Sequence, residues 1–136
     1  MELCNSGSDG KVLAESRNYY LKAEYEEVYL CSRSSGIKIA KVGDFYGDPS
    51  DGVIDVNERF CVTVGCGYII YFLREPFESY EYNIKTPQWA EWGRYADNII
   101  WIKAVKQTGE EIELTFENGE TQIIRVMDND ESNACT

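Results

Sequence analysis

The chain has 136 residues, of which 43% are hydrophobic and 13% aromatic, enough for one domain with its own core. Its 24 acidic and 13 basic residues give a net charge of −11, which disfavours contact with nucleic-acid phosphates and anionic lipid. Histidine is absent, which excludes Ser-His-Asp and Cys-His catalysis, and no apolar run reaches the roughly 18 residues of a membrane-spanning helix.

The N-terminal part predicts a flexible end followed by strands. Residues 1–10 are polar, and we expect them to be flexible. Residues 12–24 fit neither a helical stripe nor strand alternation, so helix and strand both stay open there. Residues 26–31 and 37–42 are predicted to form two strands around a hairpin turn at Ser34-Ser35-Gly36.

The middle of the chain continues this strand pattern up to a predicted helix. After a loop rich in Gly and Asp, strands are predicted at residues 53–56, 59–64 and 67–73. Further on, Thr86 as N-cap and Pro87 at the first helical position predict a short helix that ends at Gly93.

Residues 98–106, 110–116 and 121–126 are predicted to form three consecutive strands. The last hairpin has two candidate registers. A two-residue turn would set Leu114 opposite Ile123, whereas a three-residue turn with a left-handed Gly119 would set Ile112 opposite Ile124. We prefer the second register because it places Ile124 on the same apolar face as Ile112.

The predicted fold class is mainly β, with α+β as the alternative: an antiparallel, meander-rich sheet or open barrel with one or two short helices. The predicted organisation is a flexible N-terminus at residues 1–10, a single β-rich domain at 11–127, and an acidic flexible C-terminus at 128–136.

The cysteines are odd in number and scattered, unlike a disulfide framework: Cys4, Cys31, Cys61, Cys66 and Cys135. This spacing predicts reduced thiols. The N-terminus also lacks basic residues followed by an apolar stretch, as a secretory signal would have. Together these features predict a cytoplasmic protein.

No catalytic residue, metal site or cofactor is predicted. Cys66 lies between two glycines, superficially like an exposed nucleophile, but a strand follows it where a nucleophile elbow needs a helix. We interpret Gly65-Cys66-Gly67 as a kink between paired strands. The acidic run at residues 44–58 lacks the alternating spacing of an EF-hand loop and is better explained by turns.

Three segments are candidates for contact with a protein partner, each with a simpler structural explanation. The first is an acidic loop, which is otherwise a solvated loop, and its candidate residues are Asp44, Tyr46, Asp48 and Asp51. The second alternates Glu and Tyr, which is otherwise typical of a strand with one solvent-exposed face, and its candidate residues are Glu78, Tyr80, Glu81 and Tyr82. The third, beside Arg94 and Tyr95, is otherwise core packing under a sheet: Trp89 and Trp92 on one side of the predicted helix.

Small size, strong acidity, the absence of histidine, many strands and many aromatic residues together resemble the immunity proteins of bacterial polymorphic toxin systems. The resemblance implies a cytoplasmic bacterial protein that binds and blocks a basic toxin domain without chemistry of its own. It covers the general pattern of the domain, so no residue role follows from it.

Three other functions stay open. A different binding or scaffolding module would show a large exposed apolar patch or a symmetric self-interface. A β-barrel that binds a small ligand would show a closed apolar pocket. An enzyme, the least favoured, would show a cleft with titratable groups of perturbed pKa.

Overall fold

The computed structural model describes residues 10–94 and 99–126, which form three antiparallel sheets. No helix occurs in these described ranges. The mainly β, antiparallel prediction is therefore confirmed, whereas the short helix predicted from Thr86 to Gly93 is wrong.

The N-terminal sheet is a four-stranded meander of β1 (Gly10–Glu15), β2 (Tyr19–Glu24), β3 (Glu27–Ser32) and β4 (Lys38–Asp44). The ambiguous residues 12–24 fall on β1 and β2. The pairing of these strands shifts between Val12 and Ala14, and this irregularity interrupts the alternation that would mark a strand. The predicted turn at Ser34-Ser35-Gly36 joins β3 to β4, and Gly36 supplies the positive φ of 75°.

The central sheet contains β5 (Asp51–Ile54), β6 (Phe60–Gly65), β7 (Gly67–Phe72) and β8 (Trp89–Trp92), paired in that order. Nearly every residue of β6 and β7 is buried. Both strands are covered on both faces, which explains why they are almost continuously apolar and do not alternate. Gly65 pairs with Gly67 across the tip of the β6–β7 hairpin, which confirms the predicted break at Cys66.

Strand β8 replaces the predicted helix because its side chains fit the pairing with β7. Trp89 lies opposite Tyr71 and stacks on its ring at a centroid distance of 6.3 Å. Trp92 lies opposite Tyr68, with centroids 5.0 Å apart. A spacing of three puts the two tryptophans on one side of a helix but on opposite faces of a strand.

The C-terminal sheet contains β9 (Ile102–Thr108), β10 (Glu111–Phe116) and β11 (Thr121–Arg125), in the order β11-β10-β9. Ile112 pairs with Ile124, and Gly119 has a φ of 94° in the connecting turn. The preferred register of the last hairpin is therefore confirmed.

Two hydrophobic clusters hold the sheets together in three layers, and the central sheet contributes to both. On one face, Ile69 and Tyr71 of β7 pack with Leu21 and Leu30 of the N-terminal sheet. On the other face, a second set joins the C-terminal sheet: Val62, Val64, Ile70, Ile102, Ile112 and Leu114. Alternate side chains of one strand thus reach two different cores.

The cysteines depart in part from the prediction of reduced thiols. Cys61 and Cys66 are free and buried, as expected for small hydrophobic side chains. Cys31 takes part in a disulfide bond, so the prediction is wrong for this residue. The predicted flexible ends, apart from Gly10 in β1, lie outside the described residues.

Candidate functional site

One wall of a surface cavity is built where β4 ends beside the turn between β2 and β3. The amide of Phe45 donates to the carbonyl of Glu26 at 2.8 Å, and the amide of Gly47 donates to the Glu26 carboxylate at 2.9 Å. These bonds hold residues 44–47 against the turn. Phe45 therefore points into the protein while Tyr46 stays at the surface.

The opposite wall comes from the segments around β8 and the tip of the β6–β7 hairpin. The amide of Gly67 donates to the carbonyl of Ile100 at 2.7 Å, and the amide of Ile100 donates to Gly93 at 2.9 Å. The resulting cavity has a volume of about 580 Å³. Its lining combines aromatic and apolar groups, a thiol and three charged residues: Glu26, Asp44, Phe45, Tyr46, Cys66, Tyr82, Arg94 and Ile99.

Arg94 ties the walls together from inside the protein. Its Nε donates to Glu91 Oε1 at 2.8 Å, and its Nη1 donates to the carbonyl of Cys66 at 2.8 Å. Its Nη2 donates to the carbonyl of Asp44 at 2.5 Å. One guanidinium therefore joins the end of β4, the β6–β7 tip and strand β8, which fixes the shape of the cavity.

The Arg94 charge is neutralised within the protein by Glu91. The two side chains are only 4% and 7% exposed, and the Glu91 carboxylate also accepts a hydrogen bond from the Tyr80 hydroxyl. Burial raises the pKa of Tyr80, and its bond to Glu91 raises it further. Tyr80 therefore stays a neutral donor over the physiological pH range.

Aromatic rings surround the Arg94 guanidinium. The guanidinium carbon lies 4.7 Å from the ring centroid of Phe45, 5.9 Å from that of Tyr80 and 5.7 Å from that of Tyr82. These distances are within the range of cation–π attraction. At the surface, the ring of Tyr46 lies 6.5 Å from that of Trp101, which extends the aromatic lining outward.

Two carboxylates bring acidic charge to the lining. Asp44 forms an ion pair with Lys41 at 3.4 Å, and its side chain is partly exposed. Glu26 is exposed, and its carboxylate accepts a hydrogen bond from the amide of Gly47. The cavity is thus lined by two carboxylates and the Arg94 guanidinium, whose charge is balanced by the buried Glu91. Lys41 adds a second positive charge beside Asp44.

Cys66 is buried at the tip of the β6–β7 hairpin and lines the inner part of the cavity. Its main-chain carbonyl accepts the hydrogen bond from Arg94 Nη1. No cluster of three or more His, Cys, Asp or Glu side chains suited to a metal ion occurs within residues 10–94 and 99–126.

The structure brings together three of the predicted contact residues: Asp44, Tyr46 and Tyr82 all line the cavity. Asp48, Glu78 and Glu81 are exposed but do not line it.

The other predicted contact residues have structural roles. Tyr80 and Trp89 are buried in the first core, and Trp92 packs against the second. Asp51 accepts the amides of Gly52 at 2.8 Å and Val105 at 3.0 Å, which links β5 to β9. We therefore correct the expectation for Tyr80 and Trp89, which are buried. Asp51 and Trp92 are partly exposed, and contact of these two with a partner stays a prediction.

Sequence reasoning did not assign Glu26, Cys66 or Ile99 to the contact surface, and noted Arg94 only as a neighbour of the tryptophans. These residues come from separate parts of the chain and share no local pattern. The hairpin tip that carries Cys66 does have a local sequence signal, Gly65-Cys66-Gly67. Gly67 adopts the positive φ of 78° that the tight turn requires.

No protein-family model matches the chain, and no curated protein matches it. In the part of the chain that the structure describes, no helix is long and apolar enough to cross a membrane.

Proposed function

We propose that this chain is a protein-binding inhibitor of the immunity type, and that the surface around the cavity contacts a basic partner. The observation that carries the proposal is the set of exposed aromatic side chains at an acidic cavity. Tyr46 is 74% exposed, Tyr82 50% and Trp101 44%, beside Glu26 and Asp44.

Exposed aromatic side chains at a concave site support binding to a protein. Tyr and Trp bury much area at little cost in side-chain entropy, and they are enriched among the residues that dominate interface energies. Tyr46 and Trp101 contact each other at the surface, so a partner could cover both at once.

Charge supports a basic partner. The chain carries a net charge of −11, and acidic surface accelerates association with a positively charged protein. The cavity adds a specific acidic feature through Glu26 and Asp44, while Arg94 is already paired.

The proposal requires no catalytic step and no cofactor. A cytoplasmic location stays a prediction, and the disulfide at Cys31 does not favour it, because such bonds are rare in reducing compartments.

The test is affinity capture from the lysate of the source organism at low and high salt, with wild-type and Tyr46→Ala protein as baits. We expect one stoichiometric basic protein, retained at low salt, weakened at high salt and weakened further by Tyr46→Ala. Tyr25→Ala is the matched control, because Tyr25 is 76% exposed and does not line the cavity.

A partner that binds both variants and wild type equally would place the interface elsewhere on the molecule. The absence of a stoichiometric basic partner at either salt concentration would contradict inhibition by direct binding.

Binding of a small ligand is a second candidate, favoured by the cavity volume of about 580 Å³. Small-molecule sites typically occupy about 300–1,000 Å³. The cavity is open to solvent and partly acidic, which suits a cationic ligand better than an apolar one. A ligand that co-purifies with the protein and is identified by native mass spectrometry would favour this candidate.

A further inference from the structure

We propose that the cavity receives one arginine side chain of the partner protein. This inference rests on the proposed function and specifies what the cavity recognises. The occupant would place its guanidinium at the acidic lining, between Glu26 and Asp44, with its methylene stem against the apolar lining residue Ile99.

Aromatic side chains of this site already surround one guanidinium, that of Arg94. Phe45 and Tyr82 lie 4.7 Å and 5.7 Å from the guanidinium carbon of Arg94. The exposed ring of Tyr46 lies further out, against Trp101. A second guanidinium nearer the surface would meet aromatic rings of the same kind.

Charge complementarity also favours a cationic occupant. The charge of Arg94 is compensated by Glu91, which lies 2.8 Å from Nε, and the other two guanidinium nitrogens donate to main-chain carbonyls. Within the described part of the chain, the Arg94 guanidinium therefore donates to neither the Glu26 nor the Asp44 carboxylate. Glu26 accepts a hydrogen bond from the amide of Gly47, and Asp44 is paired with Lys41. A carboxylate has about four lone-pair positions, so both can accept further hydrogen bonds.

The combination of rings and carboxylates favours arginine over lysine as the occupant. A guanidinium is planar, stacks on aromatic faces and donates from several fixed directions, so it can serve two carboxylates and a ring at once. A lysine ammonium is a compact and more strongly hydrated charge, and gains less from flat aromatic surfaces. An anionic occupant would face the two carboxylates and is disfavoured.

The test is a titration of ¹⁵N-labelled full-length protein with three capped tripeptides, followed by NMR. The central residue is arginine in one, lysine in the second and citrulline in the third, which has the shape of arginine without its charge. We expect saturable shifts at Glu26, Tyr46 and Ile99 with the arginine peptide, weaker binding of the lysine peptide and no saturation with citrulline.

Variants locate the binding. Glu26→Gln should weaken the arginine peptide about five-fold, as expected for the loss of one exposed charge pair, and Tyr46→Ala by a similar factor. Glu120→Gln and Tyr25→Ala remove the same chemical groups from exposed positions that do not line the cavity, and should leave the affinity unchanged.

Equal or tighter binding of the lysine or citrulline peptide would overturn the assignment of arginine. Shifts that avoid the cavity, or no saturable shifts with any peptide, would overturn the inference even if a basic partner is captured. Conversely, arginine binding in the cavity without any captured partner would contradict the proposed inhibition and leave the recognised group established.

Discussion

The Arg94 guanidinium donates to the Glu91 carboxylate at 2.8 Å, and both side chains are almost completely buried. We expect Arg94→Met to lower the free energy of unfolding by about 3 kcal/mol, because Glu91 would keep a buried charge without its counter-ion. Urea unfolding measures this change.

The double variant Glu91→Gln/Arg94→Met should lose less stability than the sum of the two single changes, because no uncompensated charge remains. Additive losses would show that the two residues act independently, contrary to the geometry.

Two glycines with positive φ make a matched test of crowding at the hairpin tip. A Cβ on Gly67 would lie 2.3 Å from the carbonyl oxygen of Trp92, whereas a Cβ on Gly109 would meet nothing within 4 Å. Left-handed backbone costs a non-glycine residue about 1 kcal/mol, so we expect about that loss for Gly109→Ala. For Gly67→Ala we expect about 3 kcal/mol or more, because the overlap adds to it.

Thermal unfolding of both variants compares the losses directly. Equal losses at the two positions would mean that the tip relaxes around a methyl group, and that the close packing against β8 is not required.

Two carboxylates of the acidic loop, Asp51 and Asp48, differ in their surroundings. Both Asp51 oxygens accept hydrogen bonds from main-chain amides, whereas Asp48 is exposed. Asp51→Asn replaces one acceptor oxygen by a donor, so we expect a loss of about 1–2 kcal/mol. Asp48→Asn should change stability by less than about 0.5 kcal/mol. Chemical unfolding of the two variants provides the comparison, and a large effect at Asp48 would contradict it.

Asp55 should make stability depend on acidity. Burial by itself would raise the pKa of Asp55, but hydrogen bonds from Arg59 and Gln107 outweigh it and lower the pKa from 3.8 to about 2. The folded protein therefore releases this proton more readily than the unfolded chain. The stabilisation is present above pH 3.8 and is lost as the pH falls towards 2.

Arg59 is partly exposed, and solvent screens its charge, so we expect Asp55 to contribute about 1–2 kcal/mol at neutral pH. Wild type should lose this advantage over Asp55→Asn between pH 4 and pH 2, when unfolding is measured across that range. A difference that is independent of pH would contradict the ion-pair explanation.

The strands could be predicted from sequence where one face of the strand is exposed to solvent, or where apolar residues follow one another without interruption. Glu111 and Glu113 alternate with Ile112 and Leu114, and β10 lies there with the expected apolar face inward. The helix prediction failed because local signals at Thr86 and Pro87 were outweighed by long-range pairing of β8 with β7.

The cavity could be predicted only in part, because its lining is assembled from distant segments. Asp44 and Tyr46 were identified together since they are neighbours in one acidic loop. Glu26 and Arg94 reach the same place through the β2–β3 turn and the end of β8, and this meeting depends on how the sheets stack. No spacing in the sequence records it.

The most direct test of the account is the dissociation constant of the captured basic partner for wild type, Tyr46→Ala and Tyr25→Ala, measured by calorimetry at low salt. Loss of a central aromatic contact typically weakens a complex by about 2 kcal/mol, or roughly 30-fold. We predict a loss of this size for Tyr46→Ala and none for Tyr25→Ala. Equal affinities for all three proteins would contradict the claim that the acidic aromatic cavity is the binding surface.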